Sequence, residues 1–184
     1  TIIMKKIGKI EQGINEASQK VIRWFFSFPS TPINLSDLAR ETNISKKTAN
    51  KIVLQFLKEG FLIKEDIGRT WRISCNQRHI YNYTEKISYN LSLIYRAMHE
   101  LGIINEIYKI TGNPKTIILF GSYRKGDDNE KSDIDLAVEI AGKEELKIIR
   151  LGELTKLGYR KNIPINLHIF SRNKIDLNLF SNIA

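Results

Sequence analysis

Cysteine is almost missing from this 184-residue chain, Cys75 being its only one. A lone thiol excludes an internal disulfide framework and a cysteine-built zinc site, and it points to a reducing compartment. Long apolar runs are missing too. No stretch approaches membrane-spanning length, and Met4-Lys5-Lys6 leads into Ile7-Gly8-Lys9-Ile10-Glu11, which is not the apolar core of a signal peptide. A cytoplasmic protein is therefore expected. Repeats and low-complexity segments are absent. Acidic residues are in deficit, with 20 Asp and Glu against 29 Lys and Arg, a net charge of +9.

What is present suits one or two ordinary globular domains: 42% of the residues are hydrophobic and 27% charged. The basic excess is concentrated. Residues 1–75 hold 13 Lys and Arg against 7 Asp and Glu, whereas residues 115–184 hold 12 against 10. Clustered positive charge is the electrostatic footprint of a nucleic-acid binder, although a basic domain can also be merely soluble.

The N-terminal pattern agrees with that footprint. Residues 10–28 read as a helix with an apolar stripe of Ile14, Ala17, Val21, Trp24, Phe25 and Phe28, stopped by Pro29 and Pro32. Asn34 or Ser36 can cap a short second helix at 37–41 with Leu38 and Ala39 inward. Ser45 caps a third that runs to about residue 59, with Ala49, Ile52, Val53, Phe56 and Leu57 on one face, and Gly60 stops it. Residues 61–64 and 70–73 read as two short strands. This order, with Leu38-Ala39, Ile44-Ser45, Leu57 and Gly60-Phe61, resembles the winged helix-turn-helix domains of prokaryotic transcriptional regulators. The resemblance implies phosphate contacts from Lys46, Lys51, Arg69 and Arg72, and base-edge contacts from Lys47, Thr48 and Asn50, on double-stranded DNA. The plain alternative is a solvated lysine-rich face used for protein contacts.

Residues 76–101 read as one long helix. Ile87, Leu91, Ile94, Met98 and Leu101 form a seam narrow enough for a coiled coil, extended by Ile80 and Tyr83; it either pairs two copies in a homodimer or packs on the first helix. Gly102 breaks it, and a shorter helix follows at 103–110.

The chemistry is concentrated further on. Lys115-Thr116-Ile117-Ile118-Leu119-Phe120 is an apolar, β-branched segment, expected as a strand buried on both faces, and it ends at Gly121-Ser122. A Gly-Ser turn between strand and helix lets backbone approach an anion, with helix amides and the hydroxyl aimed at it. After a charged loop at 127–131, expected to be solvated, Asp133 and Asp135 share one face of a strand at 133–140, on which Ile134, Leu136 and Val138 do not all lie. Paired carboxylates repel, and a divalent cation such as Mg²⁺ keeps both ionised while carrying substrate phosphates. Either half alone is commonly a plain turn or a solvated strand face.

Gly121-Ser122, Gly126 and Asp133-Ile134-Asp135 together look like the signature of nucleotidyltransferases related to DNA polymerase beta, in particular the minimal nucleotidyltransferases of archaea and bacteria. The resemblance covers about residues 113–170. It implies a small mixed sheet with helices on one side, Mg²⁺ on Asp133 and Asp135, and the phosphates of a nucleoside triphosphate, ATP being the expected one, on Gly121 and Ser122 with Arg124 or Lys125 neutralising charge. A nucleoside monophosphate would pass to a protein or small-molecule hydroxyl, and the family also suggests a toxin-antitoxin setting. A third carboxylate is expected on the next strand, 163–170, but Asn166 stands there. An amide lends oxygen to a metal without charge and is no base at neutral pH. His168, two residues on and on the same face, is a candidate substitute base, though a histidine so placed more often serves as a hydrogen-bonded structural residue. Residues 143–158 read as an amphipathic helix through Leu146, Ile149, Leu154 and Leu157, and 175–183 as a partial helix.

These readings describe a mixed α+β protein: residues 1–75 a winged helix-turn-helix DNA-binding domain, 76–112 a helical connector and candidate dimerisation helix, and 113–184 a nucleotidyltransferase-like domain. Two functions remain open. One is an enzyme in which Asp133, Asp135 and Asn166 form the catalytic set. The other is a transcriptional regulator whose degenerate nucleotidyltransferase-like domain senses nucleotide or serves as an interaction module.

Overall fold

Two large apolar cores and a small third cluster of Phe120, Ala137 and Phe170 organise the computed structural model, which describes residues 15–143, 145–174 and 181. The first is built by three helices and a hairpin. Helix α1 (Glu16–Ser27) starts where Asn15 Oδ1 accepts the Ser18 amide at 2.9 Å; the expected earlier start, with Ile14, lies outside the described residues. Asn34, and not Ser36, caps α2 (Leu35–Thr42), which is longer than expected at both ends. Ser45 caps α3 (Lys46–Glu59). Strands β1 (Leu62–Ile67) and β2 (Thr70–Cys75) pair antiparallel, and Ile33 bridges to Ile73. Val21, Phe25, Leu38, Val53, Phe61 and Ile73 are fully buried, each contributing about 1.5–3 kcal/mol by leaving water.

The connector is not one helix. A short 3₁₀ turn (Ile80–Asn82) precedes α4 (Glu85–Glu100), and α5 (Ile103–Thr111) follows. Asparagine side chains break the expected continuity. Asn76 Nδ2 donates to the Gly60 carbonyl at 2.9 Å and Asn82 Nδ2 donates to the Asn76 carbonyl at 3.0 Å, so local side-chain bonds compete with helical ones. Nor is the expected seam the buried face. Ile94 is buried, but Leu91 and Leu101 are exposed, and the buried residues of α4 are Lys86, Asn90 and Ile94.

The second core lies under a four-stranded mixed sheet of order β3-β4-β6-β5, formed by β3 (Thr116–Phe120), β4 (Ile134–Ile140), β5 (Lys147–Leu157) and β6 (Arg160–Ser171). Strands β4 and β6 run parallel; the other two pairings are antiparallel. Ile134, Leu136, Val138, Ile165, Leu167 and Ile169 alternate onto one face, which Ile94 of α4, Ile103 and Ile107 of α5 and Tyr123 cover. Helices therefore lie over one face. Asp135, Ala137, Asn166 and His168 alternate onto the other.

Two strand expectations fail for stated reasons. Strand β3 is an edge, partly exposed along Thr116–Leu119 and not buried on both faces, because only β4 pairs with it. Residues 147–157 are strand, not helix. A register shift between Arg150 and Gly152 puts Ile149 and Leu154 on the same side five residues apart, and that slip makes a two-residue period resemble a helical stripe. The expected partial helix at 175–183 falls outside the described residues except for Ser181.

Candidate nucleotide site

Strand β3 delivers the chain to Gly121, which adopts φ 74°, ψ −155° and opens the one-turn helix α6 (Ser122–Lys125). A side chain is excluded there twice over. A Cβ on Gly121 would meet Asp135 Oδ2 at 2.9 Å, and the backbone sits in a region that other residues rarely adopt. The Gly-Ser bend and the second aspartate are thus in direct contact. The first amides of α6 have no partner within the helix and face outward from its start. Arg124 Nε is buried without a hydrogen-bond partner, and Lys125 is exposed. At the far end of the turn, a Cβ on Gly126 would lie 2.3 Å from the Asn82 carbonyl oxygen, so the connector packs directly beneath the bend.

Asp133 precedes β4 and Asp135 lies within it, both partly buried. Asn166, aligned with Asp135 on the parallel neighbour β6, donates its Nδ2 to Asp133 Oδ2 at 3.1 Å and to Asp135 Oδ1 at 3.4 Å. The structure therefore brings together all three residues singled out on the two strands. His168 joins them: its Nε2 lies 3.1 Å from Asp135 Oδ1, and its ring meets Phe120 edge-on with centroids 4.8 Å apart. Among the described residues no three His, Cys, Asp or Glu form a ready metal cage. Two carboxylates, one amide and a glycine cradle that a Cβ would fill do fit magnesium, which is commonly held by one or two carboxylates plus substrate phosphates.

The loop at 127–131, expected to be solvated, keeps Asp127 and Lys131 exposed but buries Asp128. Asp128 is paired with Lys86 of α4 at 3.2 Å, their side chains only 3% and 2% exposed, and Asn90 donates to the same carboxylate at 2.7 Å. Burial pushes the Asp128 carboxyl above its usual range, against the opposing pull of Lys86 and Asn90. Arg160, at the start of β6 and 7% exposed, donates to the carbonyls of Glu130 at 3.0 Å and Ser132 at 2.8 Å, and also to the Tyr123 hydroxyl. The Glu130 carboxylate accepts from the Ser30 amide and the Thr31 hydroxyl, both at 2.9 Å, tying this loop to the N-terminal core. Sequence reasoning missed Lys86, Asp128, Glu130 and Arg160. One signal was available, since Lys86 and Asn90 stand eight and four residues before Ile94, on the face that Ile94 buries.

In the N-terminal unit, Lys46, Asn50 and Arg69 line one groove of about 310 Å³ with Asn34, Ser36 and Trp71. Lys47 and Lys51 are exposed on α3 outside that lining. Thr48 Oγ1 lies 2.8 Å from Ser45 Oγ and is engaged at the cap. Arg72, 3.9 Å from Glu65, lines one cleft with Lys64 and Gln77 and a second with Asn34, Thr70 and Trp71, which also border the Lys46 groove.

No helix among the described residues is long and apolar enough to cross a membrane. No curated protein and no solved structure matches the chain. Residues 103–183, from α5 onward and so ten residues earlier than the motifs alone suggest, match the family described as Polymerase beta, Nucleotidyltransferase, which supports the nucleotidyltransferase superfamily for this part of the chain.

Proposed function

We propose that the chain is a DNA-binding protein whose C-terminal domain binds a magnesium nucleoside triphosphate and passes a nucleoside monophosphate to an acceptor hydroxyl. The observation that carries this reading is the meeting of Asp133 and Asp135 at Asn166, with Asp135 against Gly121. Bound magnesium would offset the charge of the two aspartates and withdraw charge from the phosphates. The chain's own residues do the rest. Asp133 and Asp135 supply anionic oxygens; Gly121 leaves room; the α6 amides and Ser122 receive the terminal phosphates; Arg124 or Lys125 faces the charge that develops on the departing pyrophosphate. The acceptor oxygen bonds to the α phosphorus as the bond from that phosphorus to pyrophosphate breaks, and the hydroxyl proton passes to a base. With an amide in the third position, His168 is the imidazole on this face able to accept it.

In the N-terminal domain, read as a winged helix, the groove lined by Lys46, Asn50 and Arg69 supports phosphate contact, and exposed Lys47 and Lys51 support further contact along α3. A homodimer through the exposed side of α4, where Leu91, Tyr95 and Leu101 lie, would suit a palindromic site.

Asn166 favours a second reading, a transcriptional regulator that binds magnesium nucleotide without transferring it. ATP labelled at its α phosphate, incubated with Mg²⁺ alone and with cell extract, separates the two. Label passed to an acceptor by the unmodified protein and not by Asp133→Ala supports the enzyme; magnesium-dependent ATP binding without transfer supports the regulator. Neither binding nor transfer contradicts both.

A further inference from the structure

Buried arginines are unusual, because a charge leaves water only where its donors are met. Arg160 is buried and meets three acceptors with two of its guanidinium nitrogens: Nη1 donates to the Tyr123 hydroxyl, and Nη2 to the carbonyls of Glu130 and Ser132. Its guanidinium also lies 5.6 Å from the centre of the Tyr123 ring. Those partners have telling covalent neighbours. Tyr123 follows Ser122 in the Gly-Ser bend, and Ser132 precedes Asp133. One planar group thus spans the two segments that carry the two halves of the site, and it does so without touching either half.

We infer that Arg160 is a positioning residue that fixes the distance between the Gly-Ser bend and Asp133, and hence the affinity of the site for a magnesium nucleotide. This rests on the nucleotide reading above. The β3–β4 ladder ends with Phe120 opposite Asp135, so it sets the bend against Asp135 but leaves Asp133 outside the pairing. The bend ends β3, Asp133 enters β4, and the loop between them is pinned at Asp128 by Lys86 and Asn90 and at its carbonyls by Arg160. Backbone carbonyls are the right partners for this task, since gripping them fixes the chain and not merely a side chain. A rigid fork holds several acceptors at set spacing; a lysine reaches fewer, as a point charge on a flexible stem. Loss of about 1 Å of registration in a site of this kind costs up to about 100-fold in function while the fold persists.

The test compares the full chain with Arg160→Lys, Tyr123→Phe and Leu154→Ala, measuring calorimetric affinity for the magnesium complex of a non-hydrolysable ATP analogue together with thermal unfolding. Leu154 is buried in the same hairpin, opposite Ile163, and lies outside the small cavity lined by Tyr123, Asp128 and Arg160, so it controls for simple destabilisation. Expected are a loss of at least about tenfold in affinity for Arg160→Lys, a smaller loss for Tyr123→Phe, and unchanged affinity for Leu154→Ala at comparable or greater loss of thermal stability. Should Arg160→Lys fail to fold, Tyr123→Phe, which keeps its ring and loses only the hydroxyl, decides the matter alone. Wild-type affinity in whichever of these two variants folds, or an equal loss in Leu154→Ala, overturns the inference while leaving the nucleotide reading intact. An unmodified protein that binds no magnesium nucleotide overturns both.

Discussion

Asn166 donates its amide to Asp133 Oδ2 at 3.1 Å, across the junction of two parallel strands. A neutral donor therefore stands between two carboxylates that would otherwise repel, and it occupies the place where the polymerase beta resemblance implies a third acid. Asn166→Asp should destabilise the metal-free protein by about 1–3 kcal/mol, because a donor is lost and a third like charge is added. It should also raise magnesium affinity. Chemical denaturation with and without Mg²⁺ checks both, and a variant with no gain in magnesium affinity would contradict the placement of this residue in a metal site.

Lys86 and Asp128 form a buried ion pair under the loop that leads to Asp133. Removing one member strands the other. Lys86→Met should cost about 3–5 kcal/mol of stability, and Lys86→Met with Asp128→Leu should recover much of it. Urea unfolding of the three proteins tests this; a single variant as stable as the wild type would mean that the pair contributes nothing.

The same carboxylate predicts a pH effect. Its folded value is raised above the ordinary 3.8, chiefly by burial, so the folded state takes up its proton at higher pH than the unfolded chain does. That contribution to stability is complete below the unfolded value and is lost as pH rises through the folded one. Relative to Asp128→Asn, the wild type should gain stability as pH falls from neutral towards 3.8. Unfolding free energies of both proteins across this range provide the check, and a difference that stays flat or moves the other way would refute it.

On DNA, the exposed lysines of α3 predict a salt signature. Lys47→Ala with Lys51→Ala should weaken binding at every sequence tested and lower the slope of log affinity against log salt by about 2, one for each phosphate that the variant leaves without its lysine. Fluorescence anisotropy on a duplex at several salt concentrations measures this. An unchanged slope would move the interface off this helix face.

Much of this was legible in the sequence where chemistry is local. Caps and stops gave α3 from Ser45 to Gly60, and strand alternation put Asn166 and His168 on one face of their strand, because both depend on a few neighbouring residues; only the polymerase beta resemblance set Asn166 beside the aspartates. Failures came where tertiary context decides. The slip between Arg150 and Gly152 disguised β5 as a helix, and Asp128 looked solvated because its partner Lys86 is 42 residues away. Arg160 could not be placed either, since its role depends on the hairpin that the misread strand forms. The edge position of β3 likewise follows from strand order, which composition does not contain.

The central claim is that Asp133 and Asp135 beside Gly121 hold magnesium together with a nucleotide's phosphates. Equilibrium binding of ATP to the full chain and to Asp133→Asn with Asp135→Asn, each with Mg²⁺ and with a chelator, tests it most directly. Binding by the unmodified protein that requires Mg²⁺, and its loss in the double variant with the fold intact, is the predicted result. ATP binding that ignores the metal, or that survives both substitutions, would contradict it.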